Sequence, residues 1–436
     1  MDQITRRACA VLRQRFGHED FREDQIEIVR AIASGRDVLA VLPTGAGKSI
    51  CYQVPALLAK GPTLVVSPLI ALMTDQIAAL GALGISAVAV TSMSTRADRR
   101  KSAAMLASAK PSLVYAAPER LAATSFRNLL GSCRLAHIVV DEAHCISEWG
   151  HDFRPDYLTI GAAAERVGRP PIASFTATAT PTTRADIVHQ LGLRRPVRVI
   201  RSVDRPALFL EVASVADRRR SFERVSRAVR ERGDGAALVY VQTRALATAV
   251  AAALRRAGHP AEAYHAGLPA PHRALVQDRF LSSPRGVVVA TCAFGMGIDH
   301  PGVRLVAHLG MPGALETYVQ EAGRAGRDGR PARCLLVVAR HAAKLHMKRL
   351  NDLEGAPRSA AHARLSAMIG YVRERDCRRA AIARYFLESM PACSGCDLCV
   401  RRATTEPGRQ PRGSLVRPFI GSPTCPRILR GSECDE

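Results

Sequence analysis

The sequence predicts an α/β protein with two tandem parallel-sheet lobes, a small helical subdomain and a disordered tail. Short β-branched runs alternate with longer helical stretches in two series, and an irregular stretch at residues 201–206 separates them. From about residue 341 the pattern is helical and ends in a cysteine cluster, after which proline, glycine and arginine dominate without periodicity. The predicted boundaries are therefore 1–203, 204–340, 341–400 and 401–436.

The predicted strands are continuous apolar runs rather than alternating ones. Continuous runs indicate strands of a parallel sheet that is covered on both faces. In such sheets the chemistry belongs at the carboxyl ends of the strands. The predicted strands are Val38–Leu42, Leu64–Ser67, Leu113–Ala116, Ile138–Val140 and Ile172–Phe175, then Leu238–Val241, Val287–Ala290, Val303–His308 and Leu335–Val338.

Composition limits the class of protein. The chain has 436 residues, of which 47% are apolar and 23% charged, as expected for two or three folded domains. The net charge of +23 indicates either a polyanionic partner or an arginine-rich, well-solvated surface, and charge alone leaves both open. No apolar run approaches the roughly 18 residues of a membrane span, so we expect a cytoplasmic protein. Twelve cysteines in such a protein argue against a disulfide framework.

Two motifs at predicted strand ends indicate hydrolysis of a nucleoside triphosphate. Residues 43–49 read PTGAGKS, a phosphate loop in which Lys48 supplies charge and Ser49 a magnesium ligand. Asp141 and Glu142 follow a later strand, where Asp141 suits the magnesium sphere and Glu142 suits orienting the attacking water. The predicted phosphate-loop contacts are Thr44, Gly45, Ala46, Gly47, Lys48 and Ser49.

Four of the cysteines have metal-ligand spacing. Cys377, Cys393, Cys396 and Cys399 form a Cys-x15-Cys-x2-Cys-x2-Cys set. Four thiolates make a closed tetrahedral zinc site with no position left for water, which indicates a structural role. An iron–sulfur cluster is the alternative for four cysteines.

Two further groups suit a nucleic acid and a phosphate. The only tryptophan, Trp149, opens an aromatic loop, residues 149–154, whose rings and arginine could stack on unpaired bases. The alternative is a buried tryptophan that closes a small core. Gln320, Arg324 and Arg327 have i, i+4, i+7 spacing, which places them on one face of one helix as arginine fingers or as a solvated basic face. The DNA-binding candidates in the aromatic loop are Trp149, His151, Phe153 and Arg154.

These motifs together resemble a RecQ-family DNA helicase of superfamily 2, from about Cys9 to Val400. The resemblance is also carried by residues 16–25, 67–76, 117–121, 145–155, 293–299 and 320–329. It implies two RecA-like lobes that bind ATP and Mg²⁺, and a zinc subdomain that binds Zn²⁺. It places His18 against the adenine ring, with Arg22 and with Gln25, whose amide can read the adenine edge. It also implies Arg327 at the γ-phosphate with Arg324 beside it.

Further roles follow from the same resemblance. His144, Thr176 and Thr178 would couple nucleotide state to the lobe interface, and the aromatic loop would sense single-stranded DNA. The expected partners are single-stranded DNA and tailed or forked duplexes, with no membrane. Single-strand-binding protein remains an open partner, and in a bacterium the protein would lie at the nucleoid.

The predicted function is an ATP-dependent 3′-to-5′ DNA helicase in recombination, repair or replication. Only about 37 residues follow Cys399, too few for the winged helix that family members commonly carry. A translocase or strand-annealing ATPase with weak unwinding is therefore the main alternative. A non-catalytic DNA-binding module and an RNA helicase are the others.

Overall fold

A computed structural model of the chain describes residues 2–150, 152–292, 294, 300–340, 346–347, 355–390, 392–393 and 395–405. The first lobe is built on a seven-stranded parallel sheet of order β3-β4-β2-β5-β6-β1-β7. Its strands are β1 Val38–Val41, β2 Pro62–Val66, β3 Ala87–Val90, β4 Ser112–Ala116, β5 His137–Val140, β6 Ile172–Thr176 and β7 Val197–Ile200.

Helices cover both faces of this sheet. They are α1 Gln3–Phe16, α2 Glu23–Ala33, α3 Lys48–Leu58, α4 Ile70–Ala82, α5 Arg96–Leu106, α6 Pro118–Ala122, α7 Thr124–Gly131, α8 Thr159–Arg166 and α9 Pro181–Gln190, with 3₁₀ helices at Ala143–Ile146 and Pro155–Leu158. The local sequence determines where α9 begins. Thr180 is its N-cap and accepts from the Thr183 N–H, and Pro181 fixes φ of the first helical residue.

The second lobe is built on a six-stranded parallel sheet of order β10-β11-β9-β12-β13-β8. Its strands are β8 Leu208–Val215, β9 Ala236–Val241, β10 Ala261–Tyr264, β11 Val287–Ala290, β12 Val303–Leu309 and β13 Ala332–Ala339, and its helices are α10 Arg218–Glu231, α11 Arg244–Arg256, α12 Ala270–Ser282 and α13 Leu315–Ala322. The irregular stretch predicted at residues 201–206 does lie between β7 and β8.

Every predicted strand is present, with ends displaced by up to three residues, but four strands were missed. The missed strands are β3, β7, β8 and β10, and these are the four edge strands of the two sheets. Each of them contains partly exposed positions, whereas strands such as β1, β4 and β9 are buried throughout. Three of them, β7, β8 and β10, contain a polar or charged residue and so do not appear as continuous apolar runs, whereas β3 reads Ala-Val-Ala-Val and was missed although it is apolar throughout.

In the part of the chain that the structure describes from residue 355 onward, three helices follow the second sheet: α14 Gly355–Arg373, α15 Arg378–Phe386 and α16 Asp397–Thr405. They pack on the second lobe, since Met368, Phe386 and Cys396 belong to the same buried cluster as Leu210 and Leu336 of its sheet. The helical pattern predicted from about residue 341 is confirmed for these segments, and α15 lies between Cys377 and the other three cysteines of the set.

The predicted start of the disordered tail, at residue 401, is wrong for its first five residues. These residues continue α16, in which the Arg401 side chain bonds to Asp397 one turn earlier. The remainder, residues 406–436, lies outside the described residues. Among the described helices, none has the length and apolarity needed to cross a bilayer.

Candidate functional site

The phosphate loop joins β1 to α3. Gly45 and Gly47 adopt φ of 81° and 76°, and α3 begins directly after them at Lys48. Only glycine adopts this left-handed backbone without strain, so the loop can turn its N–H groups inward. The half-buried Lys48 donates from Nζ to the carbonyl of Leu42 at 3.2 Å, and burial lowers the pKa of Lys48.

The acidic pair lies at the carboxyl end of β5. Asp141 and Glu142 are both buried, and both interact electrostatically with Lys48. Burial, followed by the neighbouring Glu142 carboxylate, raises the pKa of Asp141 to about 7. Glu142 has φ 47° and ψ 45°, a left-handed conformation that costs a non-glycine residue about 1–3 kcal/mol. Hard oxygen donors beside a phosphate loop fit Mg²⁺.

The predicted coupling residues are adjacent to this pair. His144 Nδ1 lies 2.9 Å from Thr176 Oγ1 and 3.3 Å from a Glu142 carboxylate oxygen. Thr176 Oγ1 donates to the Thr178 carbonyl at 3.0 Å. Burial opposes the charged imidazole, but Cys145 and Glu142 outweigh it and raise the pKa of His144. The three residues thus connect the end of β5 to the end of β6.

The predicted adenine-reading residues are only partly brought together. The Gln25 amide donates from Nε2 to the Ala46 carbonyl at 2.9 Å, and its Oε1 accepts from the Arg22 N–H at 3.0 Å. Arg22 Nη1 donates to the Gly45 carbonyl at 2.6 Å. His18 is exposed and does not line the cavity beside the phosphate loop.

The prediction that Gln320, Arg324 and Arg327 share one helix face is wrong. Helix α13 ends at Ala322, and the backbone then tightens into i→i+3 turns that include Gly326 at φ 58°. We name residues 323–329 the arginine turn. Gln320 is therefore the only member of the set on the helix.

The arginine turn places its two arginines differently. Arg324 is buried within the second lobe, where its side chain bonds to Tyr240. Arg327 reaches the first lobe, since a Cβ added to Gly45 would lie 3.4 Å from Arg327 Cγ. Neither side chain lies on a solvated face.

A cavity of about 380 Å³ lies between the lobes. Gln25 and residues 42–46 line it from the first lobe, and Arg327 lines it from the second. Arg205, in the connection between the lobes, also lines it and was not predicted as a site residue. Its guanidinium donates to the carbonyls of Thr44 at 3.2 Å, Gly323 at 3.1 Å and Gly326 at 2.9 Å. It therefore joins the phosphate loop to the arginine turn.

The aromatic loop is open to solvent at its start. The Trp149 side chain is 48% exposed, so it does not close a small core. Phe153 is half-buried, and Arg154 is held by Asp152 at 3.0 Å and by the Pro68 carbonyl at 3.0 Å. His151 lies outside the described residues, as do residues 293 and 295–299 of the second-lobe motif.

The four predicted metal-ligating cysteines are brought together, with all their Sγ atoms within 4.8 Å of one another. Tetrahedral zinc with four thiolates fits this spacing, because Zn–S bonds are about 2.3 Å long. Cys396 is fully buried and accepts at Sγ from the Cys399 N–H at 3.5 Å. The cluster forms an extra bridge to the edge strand β8 at Leu210.

Three family profiles match the chain in order. They are the DEAD/DEAH box helicase over residues 22–187, the helicase conserved C-terminal domain over residues 220–329, and the RecQ zinc-binding domain over residues 342–400. The last favours zinc over an iron–sulfur cluster at the four cysteines.

Relatives of known name span most of the chain. The ATP-dependent DNA helicase RecQ of Pasteurella multocida (strain Pm70) is 39% identical over 395 residues, which cover 90% of this chain and 62% of that protein. The ATP-dependent DNA helicase RecQ of Bacillus subtilis (strain 168) is 36% identical over 437 residues, covering 98% and 73%. The chain thus spans about three fifths of the length of the Pasteurella relative.

Solved structures agree on the fold. The Mycobacterium smegmatis helicase Lhr bound to ssDNA and AMP-PNP aligns with a TM-score of 0.61 at 22% identity, covering 89% of this chain and 56% of that one. Two tandem RecA-like lobes are therefore confirmed. Together with the three profiles and the Bacillus relative, they show that this chain belongs to the RecQ helicase family.

Proposed function

We propose that this chain is an ATP-dependent DNA helicase that couples hydrolysis to 3′-to-5′ movement along single-stranded DNA and to unwinding of the adjoining duplex. The observation that carries the proposal is the shared cavity: Arg327 from the second lobe lies against Gly45 of the phosphate loop. A nucleotide held there would contact both lobes, so its hydrolysis would change their relative position. The names of the relatives support the same reaction.

The residues at the cavity suit this reaction as follows. Lys48 and the phosphate-loop N–H groups would hold the β- and γ-phosphates, and Arg327 would meet the γ-phosphate with its planar guanidinium. Glu142 would orient the attacking water. Asp141 and Ser49 would hold Mg²⁺, which neutralises phosphate charge when bound. Arg324, bonded to Tyr240, would support the arginine turn from inside the second lobe.

We also propose that the four cysteines bind one structural zinc ion. The donors are four thiols in a closed, partly buried cluster, which leaves no open coordination position for a reacting water. Zinc would then fix α15 and α16 against β8 rather than take part in hydrolysis.

The direct test is strand separation with ATP on duplexes that carry a 3′ or a 5′ single-stranded tail. We expect unwinding of the 3′-tailed and forked duplexes and little unwinding of the 5′-tailed one. Hydrolysis without strand separation would instead favour a translocase or strand-annealing ATPase. If DNA stimulates no phosphate release at all, the remaining hypothesis is a non-catalytic DNA-binding module.

The sugar class of the single strand can be tested in the same assay. We expect DNA to stimulate phosphate release more than RNA of equal length and sequence. Stronger stimulation by RNA would contradict the assignment to DNA, because the 2′-OH is the group that distinguishes them.

Trp149 gives a sharper prediction about strand sensing. Trp149→Ala should raise the DNA concentration for half-maximal ATPase stimulation by about 5- to 150-fold, because one base stack on an aromatic ring contributes about 1–3 kcal/mol. Met93, another exposed apolar side chain of the first lobe, provides the matched control as Met93→Ala. Equal stimulation curves for the two variants would remove the aromatic loop from strand sensing.

A further inference from the structure

The start of the aromatic loop is held from two sides. On the first-lobe side, the Gly150 N–H donates to the Ser147 carbonyl at 2.8 Å, and a Cβ at Gly150 would lie only 2.6 Å from the His144 carbonyl oxygen. The loop thus packs directly on the backbone of the residue that contacts Glu142 and Thr176. A change in the position of the loop would therefore be transmitted to the end of β5.

On the other side, the loop is held by an arginine from the helical subdomain. Arg364 of α14 donates from Nη1 to the carbonyls of Glu148 at 3.2 Å and Trp149 at 3.1 Å. A guanidinium that donates to two consecutive carbonyls fixes the backbone rather than the indole ring. The ring therefore stays free to meet a base while its backbone is restrained.

The same guanidinium faces α13, the helix that leads into the arginine turn. Arg364 interacts electrostatically with Glu316 in the first turn of α13. Glu316 is buried, accepts from the Tyr385 hydroxyl at 2.6 Å, and also interacts electrostatically with His144. One Glu316 carboxylate oxygen has no hydrogen-bond partner among the described residues.

Helix α14 is itself fixed to α13. The buried Tyr371 hydroxyl of α14 donates to the Tyr318 hydroxyl of α13 at 3.3 Å. Helix α15 supplies Tyr385, the partner of Glu316. The helical subdomain is thus placed between the aromatic loop of one lobe and the arginine-bearing segment of the other.

We propose that Arg364 is a positioning residue that couples the aromatic loop to the arginine turn. In the structure, Arg364 holds the loop backbone and also faces Glu316. A single strand that draws Trp149 outward would break the hydrogen bonds from Arg364 to the loop carbonyls. The Arg364 guanidinium would then be free to move toward Glu316 on α13. This proposal rests on the strand sensing proposed above. It gives the helical subdomain a part in stimulation in addition to its structural part.

The chain contains a direct reporter of this contact. Trp149 is the only tryptophan, so intrinsic indole fluorescence reports the loop alone. Arg364→Met removes the donors and the charge but keeps an unbranched side chain. Without DNA or nucleotide, we expect acrylamide to quench Trp149 about twofold more efficiently in this variant, because the freed loop samples open positions. Arg373→Met, at an exposed arginine in the last turn of the same helix, is the matched control. In this variant acrylamide should quench Trp149 as efficiently as in the wild type.

The second readout is the ratio of DNA-stimulated to unstimulated ATPase rates. We expect this ratio to fall about tenfold in Arg364→Met, the effect of losing one charge-assisted hydrogen bond of typical strength. Arg364→Lys keeps the charge facing Glu316 and one donor nitrogen, so it should recover part of both signals. Zinc content and melting temperature of each variant show that the subdomain remains folded.

The outcomes separate this inference from the proposed function. Quenching of Arg364→Met equal to that of the wild type would overturn the contact as a restraint. Increased quenching with an unchanged stimulation ratio would overturn the coupling. A wild-type protein that DNA does not stimulate would reject the proposed function, while the quenching comparison would still decide whether Arg364 holds the loop.

Discussion

Replacing Lys48 by alanine should lower ATP turnover by at least about 10²- to 10³-fold, the typical effect of losing one charged group that stabilises a transition state. Lys48 lies at the start of α3, where its Nζ donates to the Leu42 carbonyl while two buried carboxylates lie nearby. A triphosphate would give this ammonium its strongest partner. Phosphate release at saturating DNA measures the effect.

The matched control is Lys60→Ala, since Lys60 is exposed just after the same helix and lies away from the cavity between the lobes. It should turn over ATP at the wild-type rate. Hydrolysis by Lys48→Ala at that same rate would contradict the assigned phosphate contact.

The same substitution separates catalysis from folding. Burial lowers the pKa of Lys48 even though the Glu142 and Asp141 carboxylates oppose this shift, so the charged side chain is buried at some cost. We therefore expect Lys48→Ala to melt no lower than the wild type without nucleotide, and to lose the stabilisation that ATP gives the wild type. A variant that is inactive because it is unfolded would melt lower.

The sheet interiors were predictable from the sequence and the sheet edges were not. A central strand of a parallel sheet is buried on both faces, so its residues form a continuous apolar run. The edge strand β8 alternates buried and half-buried residues over its first six positions and was missed, although its eight residues make it one of the two longest strands among the described residues. The edge of β8 that is not paired with β13 is covered in part by the cysteine cluster, through the bridge from Leu210 to Cys396.

The site was predictable where function requires a short local motif. The phosphate loop, the acidic pair and the cysteine set each come from one segment, and each forms one cluster in the structure. The arginine turn shows the limit, because helical spacing does not reveal that the helix ends at Ala322 and that the chain then turns through Gly326 at φ 58°.

The contacts that Arg205 and Arg364 make with distant segments were not predicted. Arg205 binds residues 161 and 118 positions away, and Arg364 binds residues 216 and 215 positions away. The only local signal for Arg205 is its place before a proline in the connection between the lobes. A residue that acts through backbone carbonyls leaves no pattern in its partners' side chains, so only the fold reveals it.

Replacing Cys396 by serine should abolish the zinc binding that we propose for the helical subdomain and destabilise the second lobe. Cys396 is fully buried, belongs to the core cluster of that lobe, and adjoins Asp397, which binds the buried Arg378 at 3.0 Å. A serine hydroxyl is a poor zinc ligand, and metal binding and local folding are coupled. We expect bound zinc to fall from about one ion per chain to near zero.

The thermal effect should be large because the cysteine cluster supports more than its own helices. Melting should fall by on the order of 10 °C, since each kcal/mol corresponds to about 2–4 °C in a unit of 150–250 residues. Cys133→Ser, at a half-buried cysteine of the first lobe outside the cluster, is the matched control and should keep full zinc. Equal zinc content and melting in the two variants would show that Cys396 is not a ligand.

Loss of zinc should also disturb the nucleotide cavity, because the connection between the lobes links the two. Arg379 of α15 donates to the Leu208 carbonyl at 2.9 Å, and Glu388, just after α15, accepts from the Val203 N–H at 3.0 Å. These two contacts flank Arg205, which joins the phosphate loop to the arginine turn. We therefore expect zinc-depleted Cys396→Ser to hydrolyse ATP at least about tenfold more slowly, because a small misplacement at a catalytic site can cost up to 10²-fold. A zinc-free variant that retains the wild-type ATPase rate would show that the connection holds its position without the metal.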